Sequence, residues 1–491
     1  MEQLKLQSQH PLAAFFTGGR GFFALCRLAA LFGCLFCLLI FAVNYTAVSR
    51  ADRLLPTLVY LCGLVLLFGG IALFLPGHRL ILGLALGLGL LLRLSVILVT
   101  DTQPVSDFFY FYEGAQNILS GNASSYFDTW YFSMWPNTIP ICYYYAGIFS
   151  LCNSILFAKL VNLTLMVGNI GLVYLLGTKI ASPKAAALSA LFYALAPSVI
   201  QTTGQLTNQH VALFFFLLGL WVLLSGKTLW AGALSGLLLA LGNCFRSEGI
   251  VLYAALLVLS IFLLWDGKKE RPLLRRRILA LSGLFCSLLI VSTLLSGLIT
   301  NLSGHSVKND SGFAWKLIVG FNNEESGTFS GEDAEEFANT GDAWTIVKRR
   351  MGEIDNWPDF LYRKNTMMCG SYEDPSYSFS HLEHNQPVKI GPLKTDVSGL
   401  LRRCQDVDKA VYLLILLSFF ASCLLLVIKK QGHSPAELLF LLIFDAYFCA
   451  YLLIEVAARY RYFILPFLLV LGSYGFSLLH FPKKAKNCEK I

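Results

Sequence analysis

Ionisable residues are scarce in this chain, and those beside its long apolar runs have types that suit one kind of chemistry. Asp101, Asp107 and Glu113 fall in a stretch from Thr100 to Pro136 that holds no Lys or Arg. Arg246 and Glu248 (NCFRSEG), His210 (LTNQH), and Glu455, Arg459 and Arg461 (EVAARYRYFILP) stand at the ends of other apolar runs. Polar groups near a membrane interior are costly and usually mark a pathway or a site. A carboxylate can take the proton of an attacking hydroxyl. Arginine offers a fixed fork of donors to a phosphate that departs with developing charge. If that phosphate carries a lipid tail, the tail can lie in the bilayer while its head reaches an outer loop.

The elements that must position these groups follow from composition. Of 491 residues, 56% are apolar and 14% charged, whereas a soluble domain carries about 25% charge. The chain cannot cover itself with a water-compatible surface. Its net charge of +8 sits in short clusters between apolar runs, which excludes a nucleic-acid binder. A hydrocarbon core about 30 Å thick needs about 20 apolar residues of helix. Candidate helices run near 22–45, 54–75, 79–99, 137–157, 159–179, 184–200, 208–226, 229–246, 249–265, 278–299, 410–428, 435–454 and 462–480.

Charge bias sets the orientation. The loop Asp266–Arg277 (DGKKERPLLRRR), Lys429–Lys430 and the basic tail Lys483–Lys490 should stay cytoplasmic. The acidic segment 100–136 should face outward. Both termini then lie inside, which requires an even number of crossings. The run 137–157, interrupted by Pro140 and carrying Tyr143, Tyr144 and Tyr145, suits the headgroup layer and is the one that does not cross. The expected fold is an all-α polytopic membrane protein with about 12 transmembrane helices. Residues 1–78 hold two extra N-terminal helices, 79–299 a core module with a first outer loop at 100–158, 300–409 an outer cap of mixed structure, and 410–491 the last helices and the tail.

Within the first outer loop, Pro104 breaks the chain, Ser106 reads as an N-cap, and an amphipathic helix runs from Asp107 to a Gly121 terminator. Asp107 is then fixed at a helix start above the membrane, where it either caps the helix, favoured by the macrodipole, or does chemistry. Arg93, near the outer end of the third span, either snorkels or joins the site. The pair Cys34 and Cys37 lies on an embedded helix without His partners. Cys369 and Cys404 share the large outer loop and could form a disulfide. His305, His381 and His384 lie there too, without the Cys pair a finger-like zinc site needs.

The run SDFFYFYEGAQNILSG, preceded by LLLRLSVILV, resembles the first-loop signature of the GT-C superfamily of integral-membrane glycosyltransferases. The closest likeness is to bacterial members of the protein O-mannosyltransferase type (glycosyltransferase family 39). LGNCFRSEGIVL resembles the family's Arg-containing turn, KLIVGFNNEESG a loop motif, and ARYRYFILPFLLVLGSYG its last-span motif. The resemblance covers about 79–480. It implies a polyprenyl-phosphate-linked sugar donor, an acceptor outside the cytoplasm (a glycolipid, cell-surface polymer or protein), and a multi-pass enzyme of the plasma membrane whose active site is extracytoplasmic.

It also implies that Asp107 is the catalytic base. Phe108 stands where relatives often carry a second acid, so Asp101 is the candidate second carboxylate. By the same analogy Arg459, Arg461 and Arg246 would grip the donor phosphate. Glu113, His210, Glu248 and Glu455 are candidate substrate contacts. Asp101 and Asp107 could share a divalent metal, which no ligand spacing requires. A lipid-linked glycan ligase or polymerase is the rival enzyme. A sugar or lipid transporter or flippase is the rival non-enzyme, and it would show internal repeats and broken helices at mid-membrane.

Overall fold

The computed structural model describes residues 20–75, 77–266, 271–307, 312–340, 342–372, 378–379, 386–390, 393–429 and 433–477. His381, His384 and the basic tail lie outside them. The described chain is helical throughout, apart from one two-stranded antiparallel hairpin. Helices α1 (Arg20–Arg50), α2 (Leu54–Phe74) and α3 (His78–Thr100) lead into the first loop. That loop carries α4 (Asp107–Leu119), α5 (Ala123–Phe127), α6 (Trp130–Met134) and α7 (Ile139–Leu151). Six helices follow: α8 (Ile155–Gly177), α9 (Pro183–Leu195), the short α10 (Pro197–Gln201), α11 (Gln209–Ser225), α12 (Leu229–Phe245) and α13 (Gly249–Asp266).

α14 (Arg271–Ser303) rises into the cap, which comprises α15 (Gly312–Gly320), α16 (Gly331–Thr340), α17 (Ala343–Gly352), α18 (Trp357–Asn365) and the hairpin β1 (Pro387–Ile390) and β2 (Leu393–Asp396). α19 (Val397–Ile428), α20 (Pro435–Leu453) and α21 (Arg461–Phe476) close the bundle.

Seven of these helices, α1, α2, α3, α8, α14, α19 and α20, are long and apolar enough to cross a membrane. α9 and α10 together make an eighth, bent by 53°. α11, α12 and α13 are shorter but apolar, and α21 adds 16 residues with Pro466 inside. With these, each of the twelve expected crossings has a described helix. The run 137–157 forms only the 13-residue α7, too short to span. Its face is buried against the first-loop aromatics Phe111, Phe127 and Phe132.

Two helix starts differ most from expectation. α14 begins at 271 and not 278, and α19 begins at 397 and not 410. The extra turns of α19 are polar, so a hydropathy pattern does not see them. Asp396 caps them by accepting from Gly399 N. Their charged side chains are used inside the protein. Asp408 accepts from Ser198 N at 2.8 Å, Asp406 faces Arg53 at 3.4 Å, and Lys409 donates to Asn44 Oδ1 at 2.9 Å. The two N-terminal helices are thereby tied to the end of the bundle that carries the cap.

Arg93 neither snorkels nor reaches a site. It is fully buried and donates to the carbonyls of Ala194 at 2.9 Å and Gly89 at 3.1 Å. Pro197 has no N–H and ends α9, leaving orphan carbonyls that a buried guanidinium can satisfy. Cys369 and Cys404 are both free thiols, so the expected bridge is not formed.

Candidate active site

α3 ends at Thr100, and Asp101 takes a left-handed backbone (φ 41°) that turns the chain into the first loop. α4 then starts at Asp107. Ser106 occupies the N-cap position, but its side chain makes no capping bond, and its φ of 53° takes it out of capping geometry. The correction matters for Asp107: its carboxylate, and not the serine, is the polar group at the start of this helix. Gly121, with φ 80°, follows the last turn as expected.

Asp107 has two notable neighbours. Arg459 Nη1 lies 3.4 Å from its Oδ2, with both side chains more than a third exposed. The buried Tyr131 phenol is the other. Burial first, and then the Asp107 charge, push that phenol up, so it keeps its proton. Arg459 in turn lines a cavity of about 310 Å³ with Thr328, Phe329, Met367, Ser371 and the backbone segment from Glu455 to Ala458. Cap and the α20–α21 connection therefore meet at one opening, and the first loop reaches it through the contact of Asp107 with Arg459.

The charges behind that opening are already paired. Arg246 Nε donates to both oxygens of Glu248 at 2.8 Å and Nη1 to Asn208 at 3.2 Å. Burial would raise the Glu248 carboxyl, but the Arg246 guanidinium brings it below its ordinary value. Glu455 is ion-paired to Lys316 of α15. Burial again opposes ionisation, and the lysine again overcomes it, holding Glu455 below its ordinary range. Arg246 also sits 6.0 Å from the Tyr460 ring centre. The cavity beneath this pair measures about 10 Å³, room for about one water.

The connection itself is clamped by the cap. Glu455 N donates to Lys316 O at 3.0 Å, and Val456 N to Gly327 O at 2.9 Å. At Gly320 a side-chain carbon would fall 2.1 Å from the Leu453 carbonyl oxygen, so only glycine permits this approach. Lys364 of α18 is 1% exposed and donates to Gly320 O. The motif KLIVGFNNEESG is the clamp.

The other expected site residues fall elsewhere. The Asp101 carboxylate accepts from Gln103 on its own loop at 3.2 Å and makes no described contact with Asp107. Glu113 is half-buried on α4, about 120° around the helix from Asp107. His210 is fully buried between Tyr462 Oη at 2.8 Å and Thr202 O at 3.1 Å. Arg461 is 5% exposed, donates to Cys369 O at 3.3 Å and lies over the Tyr412 ring. Among the described residues, no three His, Cys, Asp or Glu side chains group where they could hold a metal ion. Tyr131 and Lys316 were not expected. Lys316 could have been read from its place in the loop motif, but nothing in the sequence marks Tyr131 among so many aromatics.

Residues 140–296 match the family described as dolichyl-phosphate-mannose-protein mannosyltransferase. That stretch contains His210, Arg246 and Glu248 but neither Asp107 nor Arg459. No curated protein matches the chain in sequence. Among solved structures, the apo oligosaccharyltransferase of Archaeoglobus fulgidus is similar, with a TM-score of 0.46 and 15% identity over 82% of this chain and 50% of that one. The archaeal oligosaccharyltransferase AglB of the same organism, in complex with an inhibitory peptide and a dolichol-phosphate, gives 0.44 and 15% over the same shares. The chain thus spans about half the length of the solved proteins it matches. Over residues 140–296 the likeness to GT-C membrane glycosyltransferases is borne out, and the family it rests on is the dolichyl-phosphate-mannose-protein mannosyltransferases.

Proposed function

We propose that this chain transfers a sugar from a polyprenyl-phosphate-linked donor to an acceptor hydroxyl on the extracytoplasmic side of the plasma membrane. One observation carries the reading: a carboxylate and a guanidinium, Asp107 and Arg459, stand 3.4 Å apart, and Arg459 lines a cavity whose other charged residue, Glu455, is already paired. Asp107 takes the proton of the acceptor hydroxyl as its oxygen bonds to the anomeric carbon. The bond from that carbon to the phosphate oxygen breaks, and its electrons leave with the lipid phosphate. Arg459 neutralises that charge. A single displacement inverts the anomeric centre.

The family match supports a lipid-phosphate sugar donor, and chain direction supports the sidedness. α3, α12 and α20 all end at the site, so Arg275–Arg277 and Lys429 lie at the opposite end of the bundle, where the positive-inside bias would put the cytoplasm.

The test is transfer from a polyprenyl-phosphate mannose by purified Asp107→Asn protein, run with and without a chelator so that any divalent ion declares itself. Loss of about 10²- to 10⁴-fold in turnover with donor binding kept is expected. Wild-type turnover by the variant removes Asp107 from the chemistry. One sugar added per product, not a ladder or a whole glycan, separates this reading from a polymerase or ligase.

A further inference from the structure

Around Asp107 the first loop builds a ridge of aromatic rings that neither folding nor the proposed chemistry uses in full. Tyr110 lies one turn after Asp107 on the same face of α4. It is stacked on Tyr131, with ring centres 4.1 Å apart and planes 4° apart. Trp130 departs from that pattern. Its neighbours Tyr110, Tyr131 and Trp135 all meet it at steep angles, 83°, 82° and 68°. No described ring lies parallel to it, and 59% of the residue is exposed. Trp135 continues the ridge to Phe329 of the cap, 6.2 Å away. Phe329 is 47% exposed and lines the cavity with Arg459.

With no parallel partner and more than half of its surface exposed, the Trp130 indole has ring surface left for a ligand. A ring face is electron-rich and attracts polarised C–H groups. The face of a pyranose offers a patch of such C–H groups, while its hydroxyls project from the rim. The hydroxyls of Thr328 and Ser371 and the Arg459 fork line the same cavity and could meet that rim. At about 310 Å³ the space lies at the low end for small-ligand pockets, roughly 300–1,000 Å³, which suits one sugar ring better than a chain of them. A membrane-interface belt would also use Trp and Tyr, but a belt ring has no reason to bridge to the cap and a cavity.

We propose that Trp130, with Trp135 and Phe329, forms a stacking platform that binds a pyranose ring beside Asp107. The proposal rests on the sugar-transfer reading above, and it adds the residues that recognise the sugar.

Saturation-transfer NMR on the full-length protein in detergent, with methyl α-mannopyranoside and methyl α-glucopyranoside as probes, tests binding without any transfer. Saturation concentrated on ring C–H protons is expected with at least one probe. It should fall at least fivefold in Trp130→Ala and persist in Trp130→Phe. Absence of saturation in the wild type, or equal saturation in Trp130→Ala, overturns the platform. So does a Trp130→Ala protein that only floats less well with liposomes.

Kinetics assign the source of the ring. A raised acceptor KM alone in Trp130→Ala marks an acceptor platform, a raised donor KM alone a donor platform, and neither change refutes both. Because the NMR needs no turnover, an Asp107→Asn protein that transfers normally would sink the reaction while leaving the platform standing.

Discussion

At the scale of single residues, the four arginines at or near the site show how little residue type alone decides. Arg93, Arg246, Arg459 and Arg461 were all eligible in sequence; Arg93 lies within α3, and the other three stand at helix ends. Three are engaged by the protein's own carbonyls, carboxylates or rings, and Arg459 is the one paired with a carboxylate at an opening. Arg459→Ala should raise the donor KM by about ten- to a hundredfold, the worth of a charge-assisted bond. Arg459→Lys should recover only part, since a point charge lacks the fork.

Arg246→Ala should behave differently. It leaves Glu248 buried and unpaired and should cost about 3 kcal/mol of stability, with the double variant Arg246→Ala, Glu248→Gln regaining most of it in thermal unfolding. Equal effects of Arg246→Ala and Arg459→Ala on donor KM would show the division to be wrong. Asp107 stood out as a candidate because a proline and a helix start isolate it and because its run resembles the GT-C first-loop signature. Tyr131 did not, because its role depends on a side-chain approach from another helix.

At the scale of elements, hydropathy picked out the apolar helices, seven or eight of them long enough to cross a membrane, but misjudged two helix starts, and for a physical reason. Polar turns such as 397–409 are helical because caps and buried partners from α1 and α10 stabilise them, and a single-sequence pattern contains neither. The cap shows the same limit. Its length was legible, but its attachment rests on the Gly320 approach, the Lys316–Glu455 pair and the buried Lys364. Burial pulls the Lys364 ammonium down to about 7. Unfolded lysine titrates near 10.4, so between these values the unfolded chain binds a proton that the folded cap has released. Stability should therefore rise as pH climbs from about 7 to about 10 and stay flat below that window. Lys364→Met should abolish the slope in thermal melts followed across that range. An unchanged slope in the variant would place the titration elsewhere.

At the scale of the whole molecule, the helix directions place all site-forming connections at one end of the bundle and the short basic connections at Arg275–Arg277 and Lys429 at the other. Sidedness can be checked with cysteines introduced at Ser133 and Arg276, both exposed, after replacing the exposed Cys62, Cys152, Cys286 and Cys449 and Cys488 of the tail. In intact cells a membrane-impermeant maleimide should label position 133 and spare 276, with the reverse in inside-out vesicles. That the first loop, the cap and the final connection converge was not legible in the sequence, because their meeting depends on contacts between segments hundreds of residues apart.

The clamp of the cap on the α20–α21 connection has a consequence for engineering. Because Arg459 stands four residues past Glu455, its aim is inherited from a strip of cap backbone. A chimera that swaps in a foreign cap to alter acceptor choice must import the strip from Lys316 to Gly327 together with its matching connection, or the transplant will arrive with a misaligned guanidinium.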